Sequence, residues 1–98
     1  MKSLSVKEFE EKIKNPDQVQ IIDVREIYEI DEAFMNAENI PLFDIKQNID
    51  KIDKTKEVIF VCRSGHRSMA VVDYLSKEGY ENLYNLDGGI VEWSKRKH

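Results

Sequence analysis

The residue with the clearest potential for chemistry in this 98-residue chain is its single cysteine, Cys62. One cysteine excludes an internal disulfide and any zinc site built from several thiolates, so Cys62 is either a small buried hydrophobe or a reactive thiol. Packing is the commoner role of a free cysteine, and only its neighbours can overturn that expectation. They form the segment Cys62-Arg63-Ser64-Gly65-His66-Arg67-Ser68.

This segment has the composition of an anion-binding loop. If Cys62 ends a strand and Ser68 lies in the first turn of a helix, successive backbone N–H groups can point toward the sulfur. Gly65 would permit the tight curvature, and the guanidinium groups of Arg63 and Arg67 would add positive charge. These features predict a pKa of Cys62 below its ordinary value and a thiolate at neutral pH.

Two strong elements flank this loop. Residues 57–62 begin with Glu57 and continue as an apolar run from Val58 to Cys62, which predicts a central parallel strand covered on both faces. Residues 67–78 have the periodicity of an amphipathic helix, with Gly79 as the residue that ends it. The loop therefore follows the carboxyl end of a central strand, where ligands bind in open α/β sheets.

The rest of the chain alternates strand and helix signals. Ser5 and Glu8 have capping-box spacing and begin a helix that Pro16 interrupts. Further strands are predicted at 19–24 and 82–86, an extended edge segment at 39–42, and helices at 26–32, 45–52 and 90–97, the last with Trp93 facing inward. This alternation predicts an α/β fold with a mostly parallel sheet, helices on both faces and right-handed crossovers.

Composition narrows the classes of partner. The formal net charge is −4 and the isoelectric point is about 5.2, so binding to nucleic acid or to an anionic membrane is not expected. The N-terminus lacks the apolar stretch of a signal peptide and no run has the length of a membrane span. We expect one cytoplasmic domain over residues 1–98.

Four segments together resemble the rhodanese family of persulfide-forming sulfurtransferases. Besides the Cys62 loop, they are Ile22-Asp23-Val24-Arg25-Glu26, Asn39-Ile40-Pro41-Leu42, and Asn85-Leu86-Asp87-Gly88-Gly89-Ile90 with Trp93. Each segment alone is a weak signal, but four in the family's order span nearly the whole chain. The resemblance implies a single rhodanese-like domain with a central sheet of about five strands.

The length of the loop separates sulfur chemistry from phosphate chemistry. Sulfurtransferases of this family resemble the chain in having four residues between Cys62 and Arg67, whereas related phosphatases and arsenate reductases have five. The shorter loop makes a smaller cradle, which suits the terminal sulfur of a persulfide better than a tetrahedral phosphate. A phosphatase or arsenate reductase is therefore disfavoured.

The resemblance implies that Cys62 takes a sulfane sulfur from a donor such as thiosulfate and passes it to a thiol, to cyanide or to a protein acceptor. No metal or organic cofactor is required, and we expect a monomer. Backbone N–H groups of residues 63–68 would stabilise the thiolate and the persulfide. Arg63 and Arg67 are candidates to receive the anionic donor, because guanidinium groups match sulfonate oxygens.

Other side chains are assigned supporting roles. Asp23, Arg25 and Glu26 are expected to hold the catalytic loop from a neighbouring strand, although for Glu26 a solvated surface charge is an equally good interpretation. His66 is expected at the rim, since an ionised thiol needs no general base. Ser64 and Ser68 could hydrogen-bond the sulfur or cap the helix, and capping is the commoner role for Ser68. The remaining residues, Trp93, Gly88 and Gly89, are expected to serve the fold.

One segment departs from the family pattern. Residues 33–37, Ala-Phe-Met-Asn-Ala, are one residue shorter than the family's usual segment. If Phe34 and Met35 are exposed there, they make this side of the rim more apolar and alter donor specificity. A binding module that keeps the fold without turnover is the alternative from another functional class, and the intact Cys62 loop argues against it.

Overall fold

The computed structural model describes residues 2–96, which form one five-stranded, all-parallel sheet in the spatial order β1-β5-β4-β2-β3. The strands are β1 (Ser3–Leu4), β2 (Val19–Asp23), β3 (Glu38–Asn39), β4 (Glu57–Val61) and β5 (Leu83–Leu86). The helices are α1 (Val6–Lys12), α2 (His66–Lys77) and α3 (Gly89–Ser94). Short 3-10 segments cover Pro16–Gln18, Ile27–Glu29, Leu42–Asp44 and Lys46–Lys51.

Strand β4 lies at the centre of the sheet and is buried on both faces. Val58 and Phe60 pack, with Cys62 beyond the strand end, in the cluster that includes the apolar face of α2. Ile59 and Val61 pack in the opposite cluster, which includes residues of α1 and α3. Because successive side chains of a strand point to opposite faces, a strand covered on both sides is apolar at each buried position, as β4 is from Val58 to Val61. The predicted central strand and helices on both faces are confirmed.

The two best-marked helix ends are also as the sequence predicts. At the start of α1, the Ser5 hydroxyl accepts from the Glu8 N–H at 3.1 Å, and the Glu8 carboxylate accepts from the Ser5 N–H at 2.8 Å. At the end of α2, Gly79 has φ +94° and the Tyr80 N–H bonds the Leu75 carbonyl at 3.0 Å. A left-handed residue at this position satisfies carbonyls that the helix leaves free.

Several predicted elements are wrong in kind or extent. The helix predicted at 26–32 is a single 3-10 turn, Ile27–Glu29, and the helix predicted at 45–52 is the 3-10 segment Lys46–Lys51, with non-helical backbone at Asn48. The sequence does not predict strand β1, because its two residues are too few to show an alternating pattern. The last helix ends at Ser94, and the predicted extension to residue 97 lies partly outside the described residues.

The start of α3 is packed directly against the backbone that follows β4. The Ile90 N–H donates to the Cys62 carbonyl, and the Val91 N–H donates to the Arg63 carbonyl, each at 3.0 Å. Gly89 has φ +63°, and a Cβ there would lie 2.5 Å from the Arg63 carbonyl oxygen and 2.6 Å from that of Cys62. No side chain therefore fits between α3 and the loop at this position. Gly89 serves the fold, as expected, by allowing this close approach.

Every helix within residues 2–96 is too short or too polar to traverse a lipid bilayer.

Two glycine substitutions test this close approach. Gly79→Ala, where no atom lies within 4 Å of the added Cβ, is the control and should lower the free energy of unfolding by about 1 to 2 kcal/mol, the cost of a left-handed alanine. Gly89→Ala adds a backbone clash and should cost about 2 to 5 kcal/mol. Urea unfolding of both variants makes the comparison, and equal losses would contradict the proposed constraint.

Candidate active site

The sulfur of Cys62 lies directly beyond β4, fully buried, inside a ring of hydrogen-bond donors. The N–H of Gly65 is 3.1 Å from Sγ, the N–H of Ser68 is 3.4 Å from it, and the Ser68 hydroxyl oxygen is 3.3 Å from it. The loop thus curls around the sulfur as the sequence predicts. Such a ring of N–H and O–H donors suits an anion.

The curl depends on the backbone of Gly65. This residue has φ +95° and precedes the first residue of α2. A Cβ at this position would come within 3.2 Å of the Gly88 nitrogen and the Leu86 carbonyl oxygen. The conformation and the close contact both favour glycine.

Two opposing effects act on the pKa of Cys62. Burial raises the pKa and is the largest single effect, but hydrogen bonds from the Ser68 hydroxyl and from the N–H groups of Ser68, Gly65 and Ser64 lower it. Together they outweigh burial, so the pKa of Cys62 lies below its ordinary value. The predicted direction of the shift is confirmed.

Of the two roles expected for the serines, Ser68 has the hydrogen bond to the Cys62 sulfur and not the helix cap. Ser68 is not a helix cap: Gly65 occupies the cap position, and the fully buried Ser68 hydroxyl contacts the Cys62 sulfur and the side-chain oxygen of Asn85. The Ser64 hydroxyl lies 3.0 Å from Nδ1 of His66, and both residues are exposed. His66 is therefore exposed on the surface of the Cys62 loop, and its role at the rim of the site stays a prediction.

Arg67 forms an ion pair with Glu29, a residue that the sequence analysis does not single out. Its Nη1 and Nη2 donate to the two carboxylate oxygens of Glu29 at 2.6 and 2.7 Å. This bidentate pair, together with the Glu26 N–H that donates to Glu29 at 2.8 Å, lowers the pKa of Glu29 to about 2. Arg67 is thus committed to an ion pair that ties α2 to the 3-10 turn after β2. The three-residue spacing of Glu26 and Glu29 is the only sequence signal for that role.

The expected supporting residues at the end of β2 interact mainly with one another. Buried Arg25 donates to buried Asp23 through Nε at 3.0 to 3.1 Å and through Nη2 at 2.8 Å. Asn39 donates to the carbonyls of both residues at 2.9 Å, which joins them to β3. The expectation that Asp23, Arg25 and Glu26 hold the Cys62 loop is therefore corrected, since Glu29 makes that contact and Glu26 contributes its backbone N–H.

Arg63 differs from Arg67 in having no ion-pair partner within residues 2–96. It is exposed and lines a cleft of about 430 Å³ together with Glu29, Met35 and Trp93. Met35 is 45% exposed at this cleft. The cleft therefore offers one free guanidinium beside the Cys62 loop.

Phe34 does not form the apolar rim that the sequence allowed. It is only 6% exposed and its ring lies 6.0 Å from that of Phe9 and 5.8 Å from that of Trp93. Trp93 also meets Phe9 edge-on at 5.3 Å, so it faces inward as predicted. The segment at 33–37 thus contributes one aromatic side chain to the core and one exposed methionine to the cleft.

Within the part of the chain that the structure describes, no group of three or more His, Cys, Asp or Glu side chains is placed to hold a metal ion.

The model of the rhodanese-like domain family matches residues 5–96 of this chain. The chain belongs to that family. Its fold agrees: the rhodanese-like domain protein of Staphylococcus aureus, a solved structure, matches with a TM-score of 0.84 at 35% identity, over 95% of this chain and 91% of that one.

Two sequence relatives bear on the kind of chemistry. A Bacillus subtilis protein called "Putative sulfurtransferase YtwF" is 38% identical over 94 residues, which are 95% of this chain and 90% of that protein. A protein of Allochromatium vinosum called "Sulfurtransferase" is 31% identical over 86 residues, which are 87% of this chain and 80% of that protein. These likenesses support a role in sulfur transfer at the level of the family.

The Glu29–Arg67 pair leads to a pH-dependent prediction. Because the folded-state pKa of Glu29 is lowered to about 2, its stabilising effect is complete above the pKa of an unfolded glutamate and is lost as the pH falls toward 2. Glu29→Gln should therefore lower the free energy of unfolding by about 1 kcal/mol at pH 7 and progressively less below about pH 4.5. Urea unfolding of both proteins across this range measures the difference. A difference that does not change with pH would contradict this assignment.

Proposed function

We propose that this rhodanese-like protein is a sulfurtransferase that takes a sulfane sulfur from a donor such as thiosulfate onto Cys62 and passes it to an acceptor. The observation that carries the proposal is the ring of donors from Gly65 and Ser68 around a buried sulfur whose pKa is lowered. An inert core cysteine has no need of this ring, whereas a nucleophile that works at neutral pH does.

In the first step the Cys62 thiolate attacks the outer sulfur of thiosulfate. A new S–S bond forms, the S–S bond of thiosulfate breaks, and sulfite leaves with the electron pair of that bond. The product on the protein is a Cys62 persulfide with a negative terminal sulfur. The N–H groups of residues 63–68 stabilise this charge before and after the transfer, which makes the loop a preorganised anion site.

In the second step a nucleophilic acceptor attacks the terminal sulfur of the persulfide. A thiolate acceptor becomes a persulfide, cyanide becomes thiocyanate, and in each case the Cys62 thiolate leaves with the electrons of the broken S–S bond. The protein thus returns to its starting state without a cofactor. Cycles of this kind are ping-pong, because the donor product leaves before the acceptor reacts.

The two arginines are proposed to have separate roles. Arg67 is bonded to Glu29 and shapes the loop, so it is not free to bind a donor. Arg63 has a free guanidinium at the cleft beside the loop, and guanidinium groups match the oxygens of a sulfonate-like ion. We therefore assign the anionic end of thiosulfate to Arg63.

Intact-protein mass spectrometry after incubation with thiosulfate tests the covalent step. We expect a species heavier by one sulfur atom that loses the added mass on exposure to cyanide, and no such species from Cys62→Ser. Failure of the wild-type protein to gain sulfur from thiosulfate or an organic polysulfide would contradict the proposal and favour a binding module. Cys62-dependent hydrolysis of an aryl phosphate would instead support a phosphatase.

A charge substitution tests the donor site. Arg63→Gln should lower kcat/KM for thiosulfate by about ten- to a hundredfold, the effect of losing one hydrogen bond between charged groups, with cyanide as a constant acceptor. Transfer from an uncharged organic trisulfide should change little, because that donor has no oxygen for Arg63 to bind. Arg96→Gln is the matched control, since Arg96 pairs with Glu10 on the surface. Equal losses with both donors would show that Arg63 does not bind the anion.

A further inference from the structure

Asn85 is a buried polar residue in an otherwise apolar strand. It lies in β5 between Tyr84 and Leu86, is 2% exposed, and is in register with Phe60 of the central strand. Burying a side-chain amide costs free energy unless its polar atoms are bonded. Within residues 2–96, the Asn85 side chain hydrogen-bonds the Ser68 hydroxyl, which also contacts the Cys62 sulfur.

The geometry gives the Ser68 hydroxyl more acceptors than it can serve. Its oxygen lies 3.3 Å from Cys62 Sγ and within hydrogen-bond distance of Asn85 Oδ1. A serine hydroxyl has one hydrogen to donate and two lone pairs with which to accept. Ser68 can therefore donate to the sulfur or to the amide oxygen, but not to both at once.

The charge on the sulfur decides between these arrangements. With a neutral thiol, the Cys62 S–H donates to the Ser68 oxygen and the Ser68 O–H donates to Asn85 Oδ1. With a thiolate, or with a persulfide anion, the Ser68 O–H donates to sulfur, and Ser68 oxygen is left to accept a hydrogen bond. An asparagine amide supplies that bond when it turns by half a rotation, because its NH₂ and its oxygen have nearly the same shape.

We propose that Asn85 is a positioning residue whose amide reverses with the charge on Cys62, so that the Ser68 hydroxyl donates to sulfur only when sulfur is an anion. Every hydrogen bond of the Cys62–Ser68–Asn85 chain is kept in both states. The thiol proton leaves to solvent and Ser68 keeps its own hydrogen. No other hydrogen bond within residues 2–96 fixes this amide in one orientation.

The chain should favour the anion over the neutral thiol. Hydrogen bonds that end on a charged group are about twice as strong as those between neutral groups, and linked hydrogen bonds polarise one another. Loss of the amide therefore weakens the anionic state more than the neutral state. If Asn85 were instead a fixed acceptor, its loss would release the Ser68 hydroxyl to the sulfur and would have the opposite effect.

The test is the pH profile of Cys62 alkylation by iodoacetamide, which reports only this residue because the chain has one cysteine. Asn85→Leu should raise the midpoint of the profile and slow alkylation below the midpoint by about two- to tenfold, the span of one hydrogen bond. The midpoint reports ionisation, whereas the plateau at high pH reports access to the sulfur. A change in packing alone would alter only the plateau.

Combining Asn85→Leu with a second substitution that removes one serine hydroxyl shows whether Asn85 acts through Ser68. In Ser68→Ala the Asn85→Leu substitution should no longer shift the midpoint, and in Ser64→Ala the shift should remain, because the Ser64 hydroxyl contacts His66. None of the variants in this series changes a charged or titratable group around the loop. These groups are Arg63, His66, Arg67, Glu29, Asp23 and Arg25. A lowered midpoint, or an equal shift without Ser68, would overturn the proposal.

A measurement on the unmodified chain keeps the proposal testable if Asn85→Leu does not fold. In ¹⁵N-labelled protein, the side-chain NH₂ signals of Asn85 should shift with the same midpoint as Cys62 ionisation, and should not shift in Cys62→Ser. Asn85 NH₂ signals that do not change when Cys62 ionises would contradict the proposed reversal of the amide. The inference rests on the proposed function only in assigning a use to the anion, and neither measurement requires sulfur transfer, so the two proposals can fail separately.

Discussion

A negatively charged sulfur inside a protein core is costly unless donors replace the water that it loses, and residues 64–68 supply such donors to Cys62. Burial by itself raises the pKa of Cys62, and only the donors contributed by residues 64–68 reverse the direction. Those donors converge because β4 ends at Val61 and α2 begins at His66, with a left-handed glycine between them. The geometry of the loop therefore lowers the pKa of Cys62 against the opposite effect of burial.

The loop that carries these donors is fastened from three directions. Backbone N–H groups at the start of α3 bond its carbonyls, at a distance that excludes any side chain at Gly89. Glu29 holds Arg67 from the turn after β2, and Asn85 meets Ser68 from β5. Strands β2, β4 and β5 are neighbours in the sheet, so a parallel order brings all three ends to one edge. These three attachments fix the position of the loop relative to the sheet and to α3.

The charged side chains around the site differ in whether they have an ion-pair partner. Two arginines with similar positions in the sequence have different environments, because Arg67 is neutralised by Glu29 and Arg63 faces an open cleft. The nearby Asp23 and Arg25 side chains pair with each other, and Asn39 of β3 bonds the backbone carbonyls of both residues. Paired charges of this kind contribute order, and the free guanidinium is the one suited to meet an anionic ligand.

The sequence alone determined the family, the central strand, the capped first helix and the position of Cys62, because each is set by a local pattern: a continuous apolar run, a capping box, a loop of defined length. It did not reveal the contacts of Glu29 or Asn85 or the different environments of the two arginines, and it left two alternatives open for Ser68. Those depend on which groups meet across segments distant in the chain, such as the 38 residues from Glu29 to Arg67. Side-chain pairing between neighbouring strands and helices is a property of the packed fold, and only the tertiary structure decided it.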